Sequence, residues 1–218
     1  MTKNSKELLI FNYAPNLKVV GTFHALNDKD KINLEHLVDE SDFVALEWDY
    51  ARSKNSGKIN LQHSILRRGY SIPDNSLHVS HLNWIYLRAI NKIIRTGITE
   101  DSKKDGRDPT QNEFTFCEEL CRNKNKDSYL VDQPIYIMLT KLCSMSLTEK
   151  IAHLMDFNNH NATGRAEEIM TSEREEYMLQ EIEKREGCTI LELKRKGLLV
   201  VGYSHAVKYW RDVQATLL

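Results

Sequence analysis

Two hexapeptides, Val19-Val20-Gly21-Thr22-Phe23-His24 near one end of the chain and Val200-Val201-Gly202-Tyr203-Ser204-His205 near the other, share the pattern VVGxxH. Each is an apolar, strand-like run that closes on a glycine, where a backbone can approach a neighbour closely, and each then delivers an imidazole. At the carboxyl end of a strand a neutral imidazole can bind a metal ion, accept a proton or hold a substrate carbonyl. A single GxxH match recurs by chance, and a lone histidine is more often a hydrogen-bonded structural residue. Two copies after the same Val-Val strand are a stronger signal. Glu47 joins them as a candidate: it directly follows Phe43-Val44-Ala45-Leu46, and a carboxylate at the end of a buried strand needs a partner. That partner is either a neighbouring cation, Arg52 or Lys54, or a functional site.

The elements that must position these residues can be read from apolar patterning. Leu8 to Tyr13 and Leu17 to Phe23, broken by Ala14-Pro15-Asn16, predict a hairpin. A helix over Asp28 to Glu40 and a strand over Asp42 to Trp48 complete a strand-helix-strand unit. A right-handed crossover makes its two strands parallel, with His24 and Glu47 on one carboxyl edge. Further helices are expected over Leu82 to Ile94, Glu113 to Asn123, Ile135 to Met145, Leu147 to Phe157 and Arg165 to Lys184, the last stopped by Gly187. Ser128 to Asp132 reads as a short strand, and Leu198 to Val201 as a central parallel strand leading to a closing helix with Val207, Trp210 and Val213. The fold class is therefore α/β, a mostly parallel sheet with helices on both faces, built from repeated β-α-β units that end in the GxxH motifs. One domain over residues 1–218 is expected, with a variable insertion around 53–80 and a charged loop at 99–109.

Composition narrows the function classes. With 41% hydrophobic and 28% charged residues and only 9 Gly and 4 Pro in 218 residues, disordered and collagen-like classes are excluded. Thirty basic against 31 acidic residues leave a net charge of -1, which offers no field to hold a nucleic acid. No apolar run approaches the roughly 20 residues that a membrane span needs, and the apolar stretch near the N-terminus is too short for a signal-peptide core. A cytoplasmic protein with reduced thiols is expected, because Cys117, Cys121, Cys143 and Cys188 lack the spacing of a zinc ribbon or a disulfide scaffold. Cys117 and Cys121, one helical turn apart, read as buried thiols on one face. His78, His81, His153 and His160 read as solvated or core-edge residues, Trp84 and Trp210 as core aromatics, and the charge-rich stretch from Arg165 to Arg185 as a solvated helix face.

In their order these segments resemble the TraB/PrgY family, within the wider group of TIKI metalloproteases and, more remotely, erythromycin esterases. VVGTFHALNDKDKINLEHLVDESDFVALEWDYAR matches that family's VGTxH, helix, VxVELxxxR layout and puts His24, Glu47 and Arg52 on motif positions. NEFTFCEELCRNKNKDSYLVDQP is similar to the family's glutamate-bearing helix and LxDR strand, aligning Glu113 and Asp132, with Gln133 where an Arg is usual. SEREEYMLQEI and LLVVGYSH resemble the ERxxxM helix and terminal VVGxxH, aligning Arg174, Met178, Gly202 and His205. The resemblance implies a metal-dependent hydrolase, most directly a peptidase. His24, Glu47 and His205 would hold a divalent ion (manganese, cobalt, zinc or iron), with Glu113 as general base or further ligand. Arg52 or Arg174 would steady an oxyanion, and Gly21, Asp132 and Gly202 would give support. A small peptide or other small molecule is the implied substrate, and a homo-oligomer is compatible with it. A metal-free esterase-type hydrolase and a non-catalytic peptide-sequestering regulator are the alternatives.

Overall fold

The structure, a computed structural model, describes residues 7–23, 25–48, 82–83, 85–90, 92, 112–158 and 164–216. His24, Arg52, Trp84, His78, His81, His160 and the expected insertion and charged loop lie outside them.

Strand β1 (Leu9–Ala14) turns back antiparallel onto β2 (Leu17–Thr22), as the break at Pro15-Asn16 requires. Helix α1 (Asp28–Asp39) starts at a capping box in which the Asn27 side chain accepts from the Asp30 N–H at 2.8 Å and the Asp30 carboxylate accepts from the Asn27 N–H at 3.2 Å. Strand β3 (Phe43–Leu46), helix α2 (Glu113–Asn123) and strand β4 (Asp127–Leu130) come next. Helices α3 (Ile135–Ser144) and α4 (Leu147–Asn158) precede a helical stretch made of α5 (Arg165–Glu167), a π turn (Glu168–Ser172) and α6 (Glu173–Glu186). Gly187 ends that stretch at φ 68°, the left-handed conformation that favours glycine. Strand β5 (Gly197–Gly202) then runs directly into α7 (Tyr203–Thr216).

The sheet order is β1-β2-β5-β3-β4, and every neighbouring pair except the β1-β2 hairpin is parallel. The expected fold class is therefore observed. β2 and β3 are parallel as expected, but they are not neighbours: β5 lies between them, pairing Leu17 to Thr22 with Gly197 to Gly202 on one side and Phe43 to Leu46 with Gly197 to Val200 on the other. All six β5 residues are buried. The two-residue side-chain period sorts the sheet's apolar residues to two faces. Val19, Ala45, Leu199 and Val201 pack with Met178, Ile182, Ala206 and Tyr209 of α6 and α7. Val20, Val44, Leu46, Leu198 and Val200 pack with Leu34, Leu37 and Val38 of α1 and with Phe114, Cys117 and Cys121 of α2. Gly197 is required for close approach, since a Cβ there would stand 2.3 Å from the Phe43 ring.

The chain forms two compact units. The first comprises Met1–Asp49, Ile98–Asp132 and Glu175–Leu218 and contains the sheet; the second comprises Tyr50–Gly97 and Gln133–Arg174. The second has its own core of Tyr86, Ile90, Leu142, Met145, Ala166 and Ile169. His153 belongs to this core: it is 2% exposed and its Nδ1 lies 2.7 Å from the Tyr86 hydroxyl, which corrects the expectation of a solvated or core-edge histidine. Trp210 is corrected in the opposite sense, being 42% exposed. Ala206 and Tyr209 take the buried face of α7, and a residue one position further on is turned about 100° away from it.

Candidate active site

Four parallel strands, β2, β5, β3 and β4, end side by side, so the residues at and just beyond their C-terminal ends are gathered on one carboxyl edge. In open α/β sheets this edge is where ligands bind. Thr22, the last residue of β2, is fully buried; its hydroxyl donates to Glu113 Oε1 at 2.7 Å and lies 3.2 Å from the Val201 carbonyl. Glu113 is the first residue of α2 and has 0% exposure. The Asn112 side chain, which accepts from the Phe114 and Thr115 N–H groups, fixes that helix start and with it the direction of Glu113. On β3 the ladder continues one residue beyond the strand, with the Glu47 N–H donating to the Val200 carbonyl at 2.9 Å. The Glu47 side chain turns across β5, and its Oε2 accepts from the Gly202 N–H at 2.7 Å. Just beyond β4 the Asp132 N–H donates to the Trp48 carbonyl at 3.4 Å, and Asp132 is buried.

His205 sits in the first turn of α7 and is 4% exposed, between two buried carboxylates. Its Nε2 is 3.4 Å from Glu47 Oε1 and its Nδ1 is 3.1 Å from Glu175 Oε1. Glu175 Oε2 is 2.9 Å from Lys208 Nζ, and its backbone carbonyl accepts from the Tyr209 hydroxyl at 2.8 Å. Burial pushes that hydroxyl's pKa far above the usual tyrosine value, with further contributions in the same direction from Glu175, Glu47, Tyr13 and Asp132. Tyr209 is thus a neutral donor at any ordinary pH.

The two glycines of the repeated motif have different work. A Cβ on Gly21 would come within 2.4 Å of Ala206 Cβ and 3.3 Å of Tyr203 Cα, so Gly21 is the space that lets α7 lie on β2. Gly202 instead supplies the N–H that holds Glu47. Just beyond the strand ends, Phe23 and Tyr203 stack with ring centroids 4.5 Å apart.

Of the residues expected at a site, Glu47, Glu113, Gly21, Gly202 and His205 are thus linked through β2, β5 and Thr22, and Asp132 lies two residues beyond the end of β4. Arg174 donates to the Met170 carbonyl at 3.0 Å within the second unit. Gln133 is buried and falls in the second unit as well. Glu175 is the residue that sequence patterning misses. Its place on a charge-rich helix predicts a solvated side chain, yet it is 4% exposed. A signal for it exists in the sequence, because Glu175, Met178 and Ile182 share one helical stripe and an acid on an apolar stripe needs a reason.

The donor set fits a divalent ion in part. Two ligands each about 2.1 Å from a tetrahedral ion stand roughly 3.4 Å apart, the separation of His205 Nε2 from Glu47 Oε1, and a carboxylate on the far ring nitrogen is the common arrangement behind a metal-bound histidine. Among the described residues no group of three His, Cys, Asp or Glu side chains is gathered for a metal ion. Nor is any described helix long and apolar enough to cross a membrane. Comparison with protein-family models and with curated proteins finds no match to this chain.

Proposed function

We propose that the chain is a hydrolase of the TraB/PrgY type, acting on a peptide bond at the carboxyl edge of β2, β5 and β3. The observation that carries this is the buried pair of His205 Nε2 and Glu47 Oε1, 3.4 Å apart. A carboxylate at Nδ1 can only accept, so the Nδ1–H donates to Glu175, and Nε2 then faces a carboxylate oxygen of Glu47. Two electron-rich atoms at that separation call for a cation between them, either a proton or a metal ion. The metal reading takes His205, Glu47 and His24 as ligands, and nitrogen with oxygen donors admits manganese, cobalt, zinc or iron. Such an ion, when bound, would polarise the scissile carbonyl and acidify a water molecule.

The chain's own residues do the rest. Glu113 takes the proton of the attacking water and delivers it to the leaving amine, a contribution of about 10²–10⁴-fold when well placed. Thr22 holds the Glu113 carboxylate in one orientation through its 2.7 Å hydrogen bond. The Gly202 N–H keeps Glu47 aimed at His205. Arg52 or Arg174 is the guanidinium proposed, from the resemblance, to steady the oxyanion or to orient Glu47. A cytoplasmic location belongs to the same proposal.

The carboxylate on His205 Nδ1 also favours a second reading, a metal-free hydrolase in which His205 activates water directly. Both are tested together by metal analysis of protein purified without chelator, coupled to cleavage of a mixed peptide library with and without chelator. Stoichiometric metal with chelator-sensitive cleavage supports the metallohydrolase, and cleavage indifferent to chelator supports the metal-free form. Binding of peptides without cleavage in either condition leaves a sequestering protein and sinks both.

A further inference from the structure

We propose that Glu175 is the positioning residue of this site: its carboxylate holds His205 in the Nδ1–H tautomer, so that Nε2 is the atom presented to Glu47 and to the reacting centre. For its kinetic consequence this rests on the hydrolase reading, but the tautomer itself can be read without any reaction.

Helix spacing sets the geometry. His205, Lys208 and Tyr209 stand at i, i+3 and i+4 on α7 and so share one face. Glu175 of α6 meets all three. Oε1 faces His205 Nδ1 at 3.1 Å, Oε2 faces Lys208 Nζ at 2.9 Å, and the backbone carbonyl takes the Tyr209 hydroxyl at 2.8 Å. The carboxylate therefore cannot swing away from the ring without breaking its ion pair, and the peptide that carries it is pinned as well. Its side chain is 6% exposed, as is that of His205, so water competes little for either atom. A carboxylate has no proton to give, which makes the ring nitrogen the donor. In a neutral imidazole that leaves Nε2 as the lone-pair atom.

A merely structural acid at this place would tie α6 to α7 and nothing more. A positioning acid sets which nitrogen is protonated, and the two roles separate experimentally. The probe is long-range ¹H–¹⁵N NMR of the His205 ring at pH 8, on the full chain after removal of any bound metal by chelator, in wild type, Glu175→Gln, Glu175→Leu and Lys208→Met. Wild type, Glu175→Gln and Lys208→Met are expected to show protonated Nδ1 and unprotonated Nε2, since Gln keeps an acceptor at the same reach. Glu175→Leu is expected to transfer the proton to Nε2, where Glu47 is the remaining carboxylate. In the cleavage assay Glu175→Leu should lower kcat by about 10–100-fold with KM little changed, and Glu175→Gln should recover most of it.

A wild-type ring protonated at Nε2, alone or together with Nδ1, overturns the proposal without any variant, and so does an Nδ1–H tautomer that survives in Glu175→Leu. If Glu175→Leu does not fold, the wild-type spectrum and the kcat of Glu175→Gln decide, a Gln variant as inactive as His205→Ala counting against it. A chain that cleaves nothing yet shows the expected tautomer pattern refutes the hydrolase reading alone and leaves the Glu175 assignment standing.

Discussion

The two ends of the sheet both gather charged groups and handle them in opposite ways. At the amino edge, Arg195 binds Asp127 at 2.6 Å, Glu186 at 3.2 Å and the Tyr129 hydroxyl at 3.2 Å, while the Lys196 N–H donates to Asp42 at 2.7 Å. The Arg195 and Asp127 side chains are 40% and 58% exposed, so these two opposite charges meet in water, and the 7%-exposed Glu186 carboxylate beside them is met directly by a guanidinium. At the carboxyl edge, Glu47, Glu113, Asp132, Glu175 and His205 are all buried, and the groups that meet Glu47 and Glu113 include a hydroxyl, a backbone N–H and an imidazole. Ionisable groups are costly to bury, and a fold spends stability on them where chemistry needs charge that water has not already screened. The contrast is what supports the proposal of a site at the carboxyl edge.

The sharpest break of that contrast comes from the buried pair. His205→Ala and Glu47→Gln are each expected to reduce cleavage at least about 10²-fold with near-native circular dichroism, and the double variant should be little worse, because members of one catalytic unit are not additive. Wild-type turnover in either single variant would make the carboxyl edge as structural as the amino one.

Paired glycine substitutions come next in size. Gly21→Ala drives a methyl into Ala206, and Gly197→Ala drives one into the Phe43 ring. Both should lower stability by about 1–3 kcal/mol, the usual cost of overpacking a core, as read by denaturant midpoint. They should differ in activity per folded molecule, since Gly21 sets the seat of the helix that carries His205 and Gly197 lies at the far end of β5. Equal losses of activity would mean that the two ends are not independent.

A smaller effect is expected in alkali. Burial raises the Cys121 thiol from its ordinary value near 9 to about 11, and Cys117, on the same face of α2, is pushed up further. A thiol whose folded pKa is raised stabilises the fold fully below its unfolded value, and that contribution is lost as pH rises from about 9 through 11. The denaturant midpoint should fall across this window, less steeply in Cys121→Ala. At pH 8 iodoacetamide should leave both thiols of α2 unmodified while Cys188, half-buried, reacts.

The smallest change is expected at the amino edge: Arg195→Ala should cost no more than about 1 kcal/mol, fade further with added salt and leave turnover unchanged. A larger loss would show that this network is more than a solvated one.

Much of this is legible in the sequence because strand ends announce themselves. In the sequence, apolar runs lead to polar termini at His24, Glu47, Asp132 and His205, and parallel strands gather such termini on one edge. Helix boundaries are set by caps such as Asn112 and stops such as Gly187. Local patterning does not encode the pairing partner, so the insertion of β5 between β2 and β3 is visible only in the structure. The π turn at Glu168–Ser172 is hidden for a related reason: one extra residue shifts the helical phase without changing composition. Glu175 and His153 are obscured by their residue types, which average to the surface and are buried here by specific partners, His205 and Tyr86.

The place of β5 also bears on how the chain comes to exist. Synthesis proceeds from the N-terminus, so β2 and β3 are complete long before residues 197–202 leave the ribosome, and each then presents an unsatisfied ladder of N–H and C=O groups flanked by Val and Phe. Bare strand edges of this kind invite pairing with other chains. The sheet closes only when its central strand threads in last, a high-contact-order step that should make folding slow and largely post-translational. A nascent chain arrested before Gly197 is therefore expected to engage holdase chaperones and resist refolding alone, whereas release past α7 should let the protease-resistant core form in a single cooperative phase.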